Sequence, residues 1–386
     1  MHAPFDPETA VRERYSAAAA TREEALCCPV SYDPRLLEVI PAEVLERDYG
    51  CGDPSAHLRF GETVLDLGSG GGKICFLAAQ VVGPNGRVIG IDMNPEMLAL
   101  ARRSAPEVAR RLGFANVEFR EGRIQDLAFD PEAAARQARQ HPLRTAADVL
   151  AFDSFLAAQK RERPLVQDAS IDVVVSNCVL NLVRSGDKPA LFREIARVLR
   201  KGGRAVISDI VADEEIPAAL QADPELWSGC VAGAMREDAF LDAFAEAGLY
   251  GVRLLKRDDS PWRTVEGIEF RSVTVEAFQG KEGPCRDRLQ AVIYKGPFRE
   301  VTDDDGHTIR RGTRHAVCAK TFEIYRREPY AGQFEFLEPR VPVAPEEAPL
   351  FDCSRPTLRS PKETKGGGYT ATGGNGSCCG PEGCRP

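Results

Sequence analysis

The regular alternation of short apolar strands with helical segments between residues 61 and 256 constrains the fold of this chain more than any other feature. The predicted strands are Thr63–Leu67, Arg87–Asp92, Val117–Arg120, Ile171–Ser176, Arg204–Ile210 and a sixth near Tyr250–Lys256. Strands that alternate with helices form a mostly parallel sheet covered on both faces. The predicted fold class is therefore α/β with a Rossmann-like sheet.

A glycine-rich turn joins the first strand to the first helix in the segment from Asp66 to Gly72. Glycines at such a turn let the backbone bend sharply and approach a ligand closely, beside the exposed N–H groups of a helix. A dinucleotide fingerprint would have glycine where this chain has Lys73, and a P-loop would have Ser or Thr at Ile74. The turn fits S-adenosylmethionine better, because that molecule has no pyrophosphate and needs a close backbone.

Asp92 lies at the end of the second strand, where an acid can bind both ribose hydroxyls of such a cofactor. For Asp92 taken alone, the alternative is an acid that caps the next helix. The full set of residues predicted to bind the cofactor is Tyr49, Asp66, Gly68, Ser69, Gly70, Asp92, Met93, Ile124, Gln125 and Asn177. Strand order, loop and acid together predict a class I S-adenosylmethionine methyltransferase.

Three cysteines are expected near the carboxyl ends of these strands, where open α/β sheets bind ligands. Cys178 directly follows the fourth strand, Cys230 follows the fifth after a loop, and Cys51 lies in a glycine-flanked loop before the first. A structural zinc site would need four ligands at characteristic spacing. Three soft thiolates instead suit a soft ion with trigonal geometry.

With these motifs, the chain closely resembles the arsenite methyltransferases. The shared motifs are Tyr49-Gly50-Cys51-Gly52, Asp66-Leu67-Gly68-Ser69-Gly70, Ser176-Asn177-Cys178-Val179, Asn181-Leu182-Val183, Trp227 with Cys230, and Gly233-Ala234. The resemblance extends from about Cys28 to the C-terminus and is strongest between residues 49 and 235.

The resemblance implies that Cys51, Cys178 and Cys230 hold trivalent arsenic while it accepts a methyl group. It also implies that a cysteine pair then forms a disulfide, with Cys28 or its neighbour Cys27 as a fourth participant. A thiol reductant of the glutathione or thioredoxin type would be the co-substrate. The alternatives are a methyltransferase for another small-molecule or metalloid acceptor, and a thiol-based metalloid binder without catalysis.

Composition limits the partners and the compartment. The net charge of −8 and the pI near 5.4 do not suggest a nucleic-acid-binding surface, which would need clustered Lys and Arg. No membrane span and no secretory signal are expected, because the chain has no apolar run of about 18 residues and its start has no basic flank. A cytoplasmic protein is therefore expected, in which the twelve cysteines stay reduced.

Beyond the sheet, the sequence suggests four further regions. These are an N-terminal segment, 1–60, that contributes to the acceptor site; a helical insertion, 129–168; a small β-rich domain, 257–340, with strands at Phe270–Phe278, Leu289–Tyr294 and Ala316–Tyr325; and a flexible Gly- and Cys-rich tail, 341–386. The insertion is either a surface excursion or a lid. The cysteines of the tail (Cys378, Cys379 and Cys384) are either a metalloid-gathering arm or exposed thiols without a catalytic task. Cys285, Cys318 and Cys353 show no spacing pattern and are expected to be incidental.

Overall fold

The computed structural model describes residues 6–21, 23, 30–280, 283–353, 358–366 and 369. Its backbone forms two compact units, residues 1–281 and residues 282–386. Within the described ranges, no helix is long and apolar enough to span a lipid bilayer.

In the described residues the first unit contains eleven α-helices, three short 3-10 helices and nine strands. The α-helices are α1 (Pro7–Ala20), α2 (Pro34–Leu37), α3 (Ala42–Glu46), α4 (Lys73–Val82), α5 (Pro95–Leu112), α6 (Pro131–Gln140), α7 (Ala146–Glu162), α8 (Lys188–Val198), α9 (Ala218–Gln221), α10 (Pro224–Ser228) and α11 (Glu237–Glu246). The strands are β1 (Thr63–Leu67), β2 (Arg87–Asp92), β3 (Val117–Glu121), β4 (Ile171–Asn177), β5 (Leu199–Ala212), β6 (Met235–Arg236), β7 (Tyr250–Arg257), β8 (Arg263–Val265) and β9 (Ile268–Phe278).

The strands form one sheet in the order β3-β2-β1-β4-β5-β9-β7, with β6 paired to β5 and β8 paired to β9. The first five strands of this order are parallel, as predicted. The central strands are apolar on both faces because helices cover both, and Val173, Val174 and Val175 are fully buried. Their carboxyl ends meet at one edge of the sheet.

Strand β9 corrects the expected domain boundary at residue 257. The segment Phe270–Phe278 was expected in the second domain, but β9 pairs antiparallel with β5 along its length and with β7. Its residues from Ser272 to Phe278 are all buried, because the strand lies inside the sheet. An apolar run predicts a strand but not its partner, and the first unit therefore extends to residue 281.

The insertion forms two helices, α6 and α7, as expected. Gln159 is the buried polar residue of α7, and it donates to the carbonyl oxygens of Ala128 (3.1 Å) and Arg163 (2.8 Å). The chain enters and leaves the insertion at neighbouring points, since Leu165 and Val166 donate backbone hydrogen bonds to Ala128 and Leu127.

The second unit is β-rich, with two short helices. It contains β10 (Ala291–Tyr294), β11 (Glu300–Thr302), β12 (Thr308–Arg310), β13 (His315–Ala316), α12 (Ala319–Tyr325), β14 (Phe334–Leu337) and α13 (Pro361–Lys365). The expected strand Ala316–Tyr325 is therefore wrong, because its apolar residues Phe322, Ile324 and Tyr325 lie on a helix.

The expectation of a flexible tail from residue 341 also needs correction. Arg359 is 2% exposed and is paired with Asp287, and Phe351 donates a backbone hydrogen bond to Cys285. The chain between residues 341 and 353 and again at 358–366 thus forms an ordered part of the second unit. Cys378, Cys379 and Cys384 lie outside the described residues.

Candidate functional site

The glycine turn after β1 has the geometry that the sequence predicts. Gly68, Gly70 and Gly72 adopt left-handed backbone conformations, with φ of 71°, 51° and 94°. The N–H groups of Gly68 and Ser69 both donate to the carbonyl oxygen of Ile91, which ties the turn to β2. A side chain on Gly70 would meet no atom within 4 Å, because the turn faces an open pocket.

Asp92 lies beside this turn at the end of β2. One carboxylate oxygen accepts from the N–H of Gly70 and the other from the N–H of Asn94, both at 2.8 Å. Removal from solvent raises the pKa of Asp92, and the backbone hydrogen bonds oppose that shift. Since a carboxylate has about four lone-pair positions, each oxygen can still accept a ligand hydroxyl.

The pocket has an empty volume of about 770 Å³. Its lining residues are Glu8, Val11, Arg12, Tyr15, Gly68, Gly70, Asp92, Met93, Asn94, Met97, Gly122, Ile124, Gln125, Val179, Leu182, Val183 and Arg184. Six of the predicted cofactor residues are in this wall: Gly68, Gly70, Asp92, Met93, Ile124 and Gln125. Helix α1 contributes one side of the pocket, which the sequence did not indicate.

The other four predicted cofactor residues lie outside that wall. Asp66 is buried behind the turn, where burial raises its pKa to about 7 and the Cys75 thiol donates to it at 3.2 Å. The Ser69 hydroxyl is buried and has no hydrogen-bond partner among the described residues. Tyr49 donates to the carbonyl oxygen of Ala18 and so fixes the end of α1.

Asn177, the fourth, holds the loop that carries Cys51. Its side-chain oxygen accepts from the N–H groups of Cys51 and Gly52, both at 2.9 Å, and its amide donates to the Gly52 carbonyl at 2.8 Å. A side chain on Gly50 would collide with Asn177. The glycine-flanked loop is therefore needed for close packing against the end of β4.

The three predicted cysteines lie in one buried apolar cluster, but their three sulfur atoms are not all within 4.8 Å of one another. Cys51, Cys178 and Cys230 are 2%, 4% and 4% exposed and pack around Ile210 and Phe270. The sulfur atoms of Cys51 and Cys178 lie within 4.8 Å of each other. The Cys230 thiol donates to the carbonyl oxygen of Cys178 at 3.2 Å.

Asp209, near the carboxyl end of β5, is a residue beside this cluster that the sequence analysis missed. A carboxylate oxygen lies within 4.8 Å of both the Cys51 and Cys178 sulfurs. Burial raises the pKa of Asp209 to about 6, although the N–H groups of Ile210 and Leu180 donate to it. Its position at the carboxyl end of a buried strand was the available signal.

Two further missed residues approach the thiols. Lys188 is buried, and its ammonium donates to the Gly233 carbonyl. Burial lowers the pKa of Lys188 to about 8, although the negative charges of Asp209 and Cys230 act to raise it. Tyr15 of α1 lines the pocket, and burial, together with the charges of nearby Cys230 and Cys178, raises its pKa far above the ordinary value. Tyr15 therefore lies in the pocket wall and close enough to the thiol cluster for its charges to act on the phenol. Cys27 and Cys28 lie outside the described residues.

Comparison with known proteins gives consistent relatives. Residues 58–135 and 131–248 match a family described as a methyltransferase domain, and residues 281–369 match a domain of unknown function (DUF8838). The arsenite methyltransferase of Aquipseudomonas alcaligenes is 34% identical over 81% of this chain and 84% of its own length. That of Homo sapiens is 30% identical over 77% and 73%.

One of the solved structures similar to this chain matches it over most of its length. The arsenic (III) S-adenosylmethionine methyltransferase from Chlamydomonas reinhardtii has a TM-score of 0.54 and 27% identity, and the match covers 83% of this chain and all of that one. The fold is thus that of S-adenosylmethionine methyltransferases with an additional β-rich C-terminal region.

Proposed function

Because this chain belongs to the arsenite methyltransferase family, we propose that it transfers methyl groups from S-adenosylmethionine to trivalent arsenic held by Cys51, Cys178 and Cys230. The observation that carries the proposal is the buried thiol cluster next to the pocket, whose wall includes Val179, the residue that directly follows Cys178. Arsenic detoxification is the physiological role that this activity would serve.

The pocket residues fit the methyl donor. The open backbone at Gly70 admits the amino-acid end of the molecule, and the Asp92 carboxylate keeps lone pairs for the ribose hydroxyls. Ile124 and Met97 offer apolar contacts for the adenine. When bound, S-adenosylmethionine supplies an electrophilic methyl group on a sulfonium.

The protein's task in this reaction is mainly to position the acceptor. Three thiolates leave trivalent arsenic with a lone pair, and a lone-pair nucleophile has no proton for a general base to remove. Correct positioning can lower such a barrier by roughly 7 to 11 kcal/mol in the best cases. Asn177 contributes by fixing the Cys51 loop.

Methyl transfer leaves arsenic in the pentavalent state, so two electrons must be returned before the next cycle. We propose that a cysteine pair supplies them by forming a disulfide in which Cys28 takes part, and that a glutathione- or thioredoxin-type reductant restores the thiols. The seven cysteines within the described ranges are all thiols rather than disulfides. We propose the cytoplasm as the compartment, because this redox cycle needs thiols that a reducing environment maintains.

The test is a methylation assay on the purified protein with arsenite, a thiol reductant and isotope-labelled S-adenosylmethionine. Labelled methylarsenic is the expected product. Cys178→Ser and Cys230→Ser should each weaken the affinity of this site for arsenite at least about tenfold, because each removes one of three sulfur ligands. A tenfold change corresponds to about 1.4 kcal/mol of binding free energy.

The matched control is Cys75→Ser, which alters another buried thiol in the same unit but outside the cluster. It should keep arsenite binding, so that any loss through destabilisation alone can be recognised. Absence of methylated arsenic at every reductant concentration would contradict the proposal. Methylation of a different acceptor without arsenite would point to the alternative acceptor class.

A further inference from the structure

Three cysteines of the second unit lie together although they are far apart in the sequence. The sulfur atoms of Cys285, Cys318 and Cys353 are all within 4.8 Å of one another. Cys318 is buried, Cys285 is half-buried and Cys353 is exposed, so the cluster can be reached from solvent. The expectation that these residues are incidental does not account for their convergence.

Backbone hydrogen bonds hold the three segments in this arrangement. The N–H of Phe351 donates to the carbonyl oxygen of Cys285 at 2.8 Å, and the N–H of Ala319 donates to that of Arg286 at 2.9 Å. The segment before Cys353 and the one after Cys318 are thus both fixed to the segment around Cys285. A site whose ligands come from paired backbone segments is largely preorganised.

We propose that Cys285, Cys318 and Cys353 form a second binding site for trivalent arsenic. The choice of arsenic as the ligand rests on the proposed function, whereas the convergence of the three thiols is observed independently of it. Arsenous acid, As(OH)₃, condenses with three thiols: three As–S bonds form, three As–O bonds break, and three water molecules leave. No electrons are transferred and no other reactant is required.

The distances in the cluster suit three-coordinate binding. With metal–sulfur bonds of about 2.3 Å, as in zinc thiolates, three sulfurs around a trigonal centre lie up to about 4 Å apart. The sulfurs of Cys285, Cys318 and Cys353 are at most 4.8 Å apart, so closing them around an ion needs movements of only about 1 Å. The exposed side chain of Cys353 can supply that movement.

Charge favours arsenic over zinc at this cluster. Three thiolates around As(III) form a neutral centre, whereas three around Zn²⁺ carry one net negative charge in a partly desolvated site. Zinc also prefers a fourth ligand, and the described residues place only three metal-ligating side chains in this group.

The experiment measures arsenic bound to the reduced full-length protein after desalting, with zinc determined in parallel. Cys318→Ser should lower bound arsenic by one equivalent in three backgrounds. These are the wild type, Cys178→Ser, and a tail variant in which Cys378, Cys379 and Cys384 are all serine. Cys75→Ser is the control that should lose no equivalent.

A second measurement avoids substitutions in case Cys318→Ser fails to fold. Wild-type protein is alkylated with N-ethylmaleimide with and without arsenite, and its peptides are analysed by mass spectrometry. Arsenite should protect Cys285, Cys318 and Cys353 together. The proposal is overturned if Cys318→Ser changes the bound arsenic in none of the backgrounds, or only in those with the tail cysteines intact. It is also overturned if arsenite leaves the three thiols open to alkylation, or if the protein holds zinc tightly and arsenite does not displace it.

The same samples separate this inference from the proposed function. Protection of the second cluster in a protein that fails to methylate arsenite would leave the second site standing and reject the enzyme activity. If the wild type methylates arsenite but Cys318→Ser leaves the number of bound arsenic equivalents unchanged, the enzyme activity stands and the second site is rejected.

Discussion

Asp66 and Asp92 are two carboxylates next to the same glycine turn, but they have different surroundings. Asp92 accepts backbone hydrogen bonds from Gly70 and Asn94, while Asp66 is buried and accepts a side-chain hydrogen bond from the weakly donating Cys75 thiol. Burial accordingly raises the pKa of Asp66 to about 7. Its charged form is thus unfavourable in the native state, and its location behind the turn indicates a structural role.

This shift predicts how stability depends on pH. The native state holds the Asp66 proton up to about pH 7, whereas the unfolded chain releases it near pH 4. The stabilising contribution is therefore fully present below about pH 4 and is lost as pH rises through 7, by about 1.4 kcal/mol per pH unit. Asp66→Asn should remove this dependence.

Urea unfolding of the wild type and Asp66→Asn at several pH values between 4 and 8 measures the difference. The free energy of unfolding of the wild type should fall relative to that of the variant as pH rises, by several kcal/mol in total. Other ionisable groups cancel in this comparison. A difference that stays constant across the range would show that Asp66 is not perturbed.

Asp209 has a pKa raised to about 6 and lies beside the sulfurs of Cys51 and Cys178. Above this pH its carboxylate can accept a proton as a thiol binds arsenic; below it, the group is already protonated. We expect the rate of arsenite binding to fall about tenfold per pH unit below about pH 6. In Asp209→Asn this inflection should be absent.

Stopped-flow binding followed by tryptophan fluorescence provides the rates, since Trp227 is three residues from Cys230 in the chain. A variant that lowers the rate equally at every pH would indicate a structural effect on the hydrogen bonds to Leu180 and Asn181 instead. The matched control is Glu121→Gln, an acid that ends β3 opposite Asp92 and lies outside the pocket wall.

Residues such as Asp209 and Tyr15 show why the sequence analysis of the site was incomplete. The cysteines could be predicted because they follow strands whose ends must converge. Tyr15 could not, since it lies on an alanine-rich helix with little segregation of polar and apolar residues, and only its packing brings it to Cys230. The same is true of Cys285, Cys318 and Cys353, which converge through loops without regular spacing.

At the scale of elements, the contacts of the insertion α6–α7 bear on the two sequence-based alternatives, a surface excursion or a lid. No residue of 129–168 is in the pocket wall. Its helices are attached through the buried Gln159 and through the backbone bonds at Leu165 and Val166. These contacts favour the surface excursion over the lid.

Replacing residues 131–162 by a short Gly-Ser linker should therefore preserve function. The ends of the insertion are already joined by backbone hydrogen bonds to Ala128 and Leu127, so closing the shorter loop adds little entropic cost. Affinity for S-adenosylhomocysteine, measured by calorimetry, should stay within about threefold. Loss of methylation in a variant that still binds this ligand would instead support a lid.

Strand β9 illustrates the limit of prediction at this scale. Its apolar run identifies a strand, and the parallel strands before it follow from alternation with helices. Antiparallel insertion between β5 and β7 depends on long-range pairing, in which Arg204 meets Phe278 and Ala212 meets Phe270. Local sequence contains no information about which strands a later strand will pair with. The expected domain boundary at residue 257 therefore lies too early in the chain.

At the scale of the whole molecule, the two compact units divide the chemistry between them. The strands of the main sheet, the residues of the pocket wall and the three cysteines of the proposed acceptor site all belong to residues 1–281. The second unit has its own buried residues, including Phe322, Tyr325 and Ala291. Each unit thus has the apolar core expected of a domain that can fold independently.

A chain that ends at residue 281 should consequently fold cooperatively and bind S-adenosylhomocysteine within about threefold of the full-length affinity. It should also bind one equivalent of arsenic fewer than the full chain once the tail cysteines are accounted for, because the second thiol cluster is removed. The matched control is the same truncation with Asp92→Ala, which should lose the ligand but retain the thermal transition. If the truncated chain unfolds or loses cofactor binding, the first unit needs residues 282–386 for its stability, and the arsenic stoichiometry of the two units must then be measured only in the intact protein.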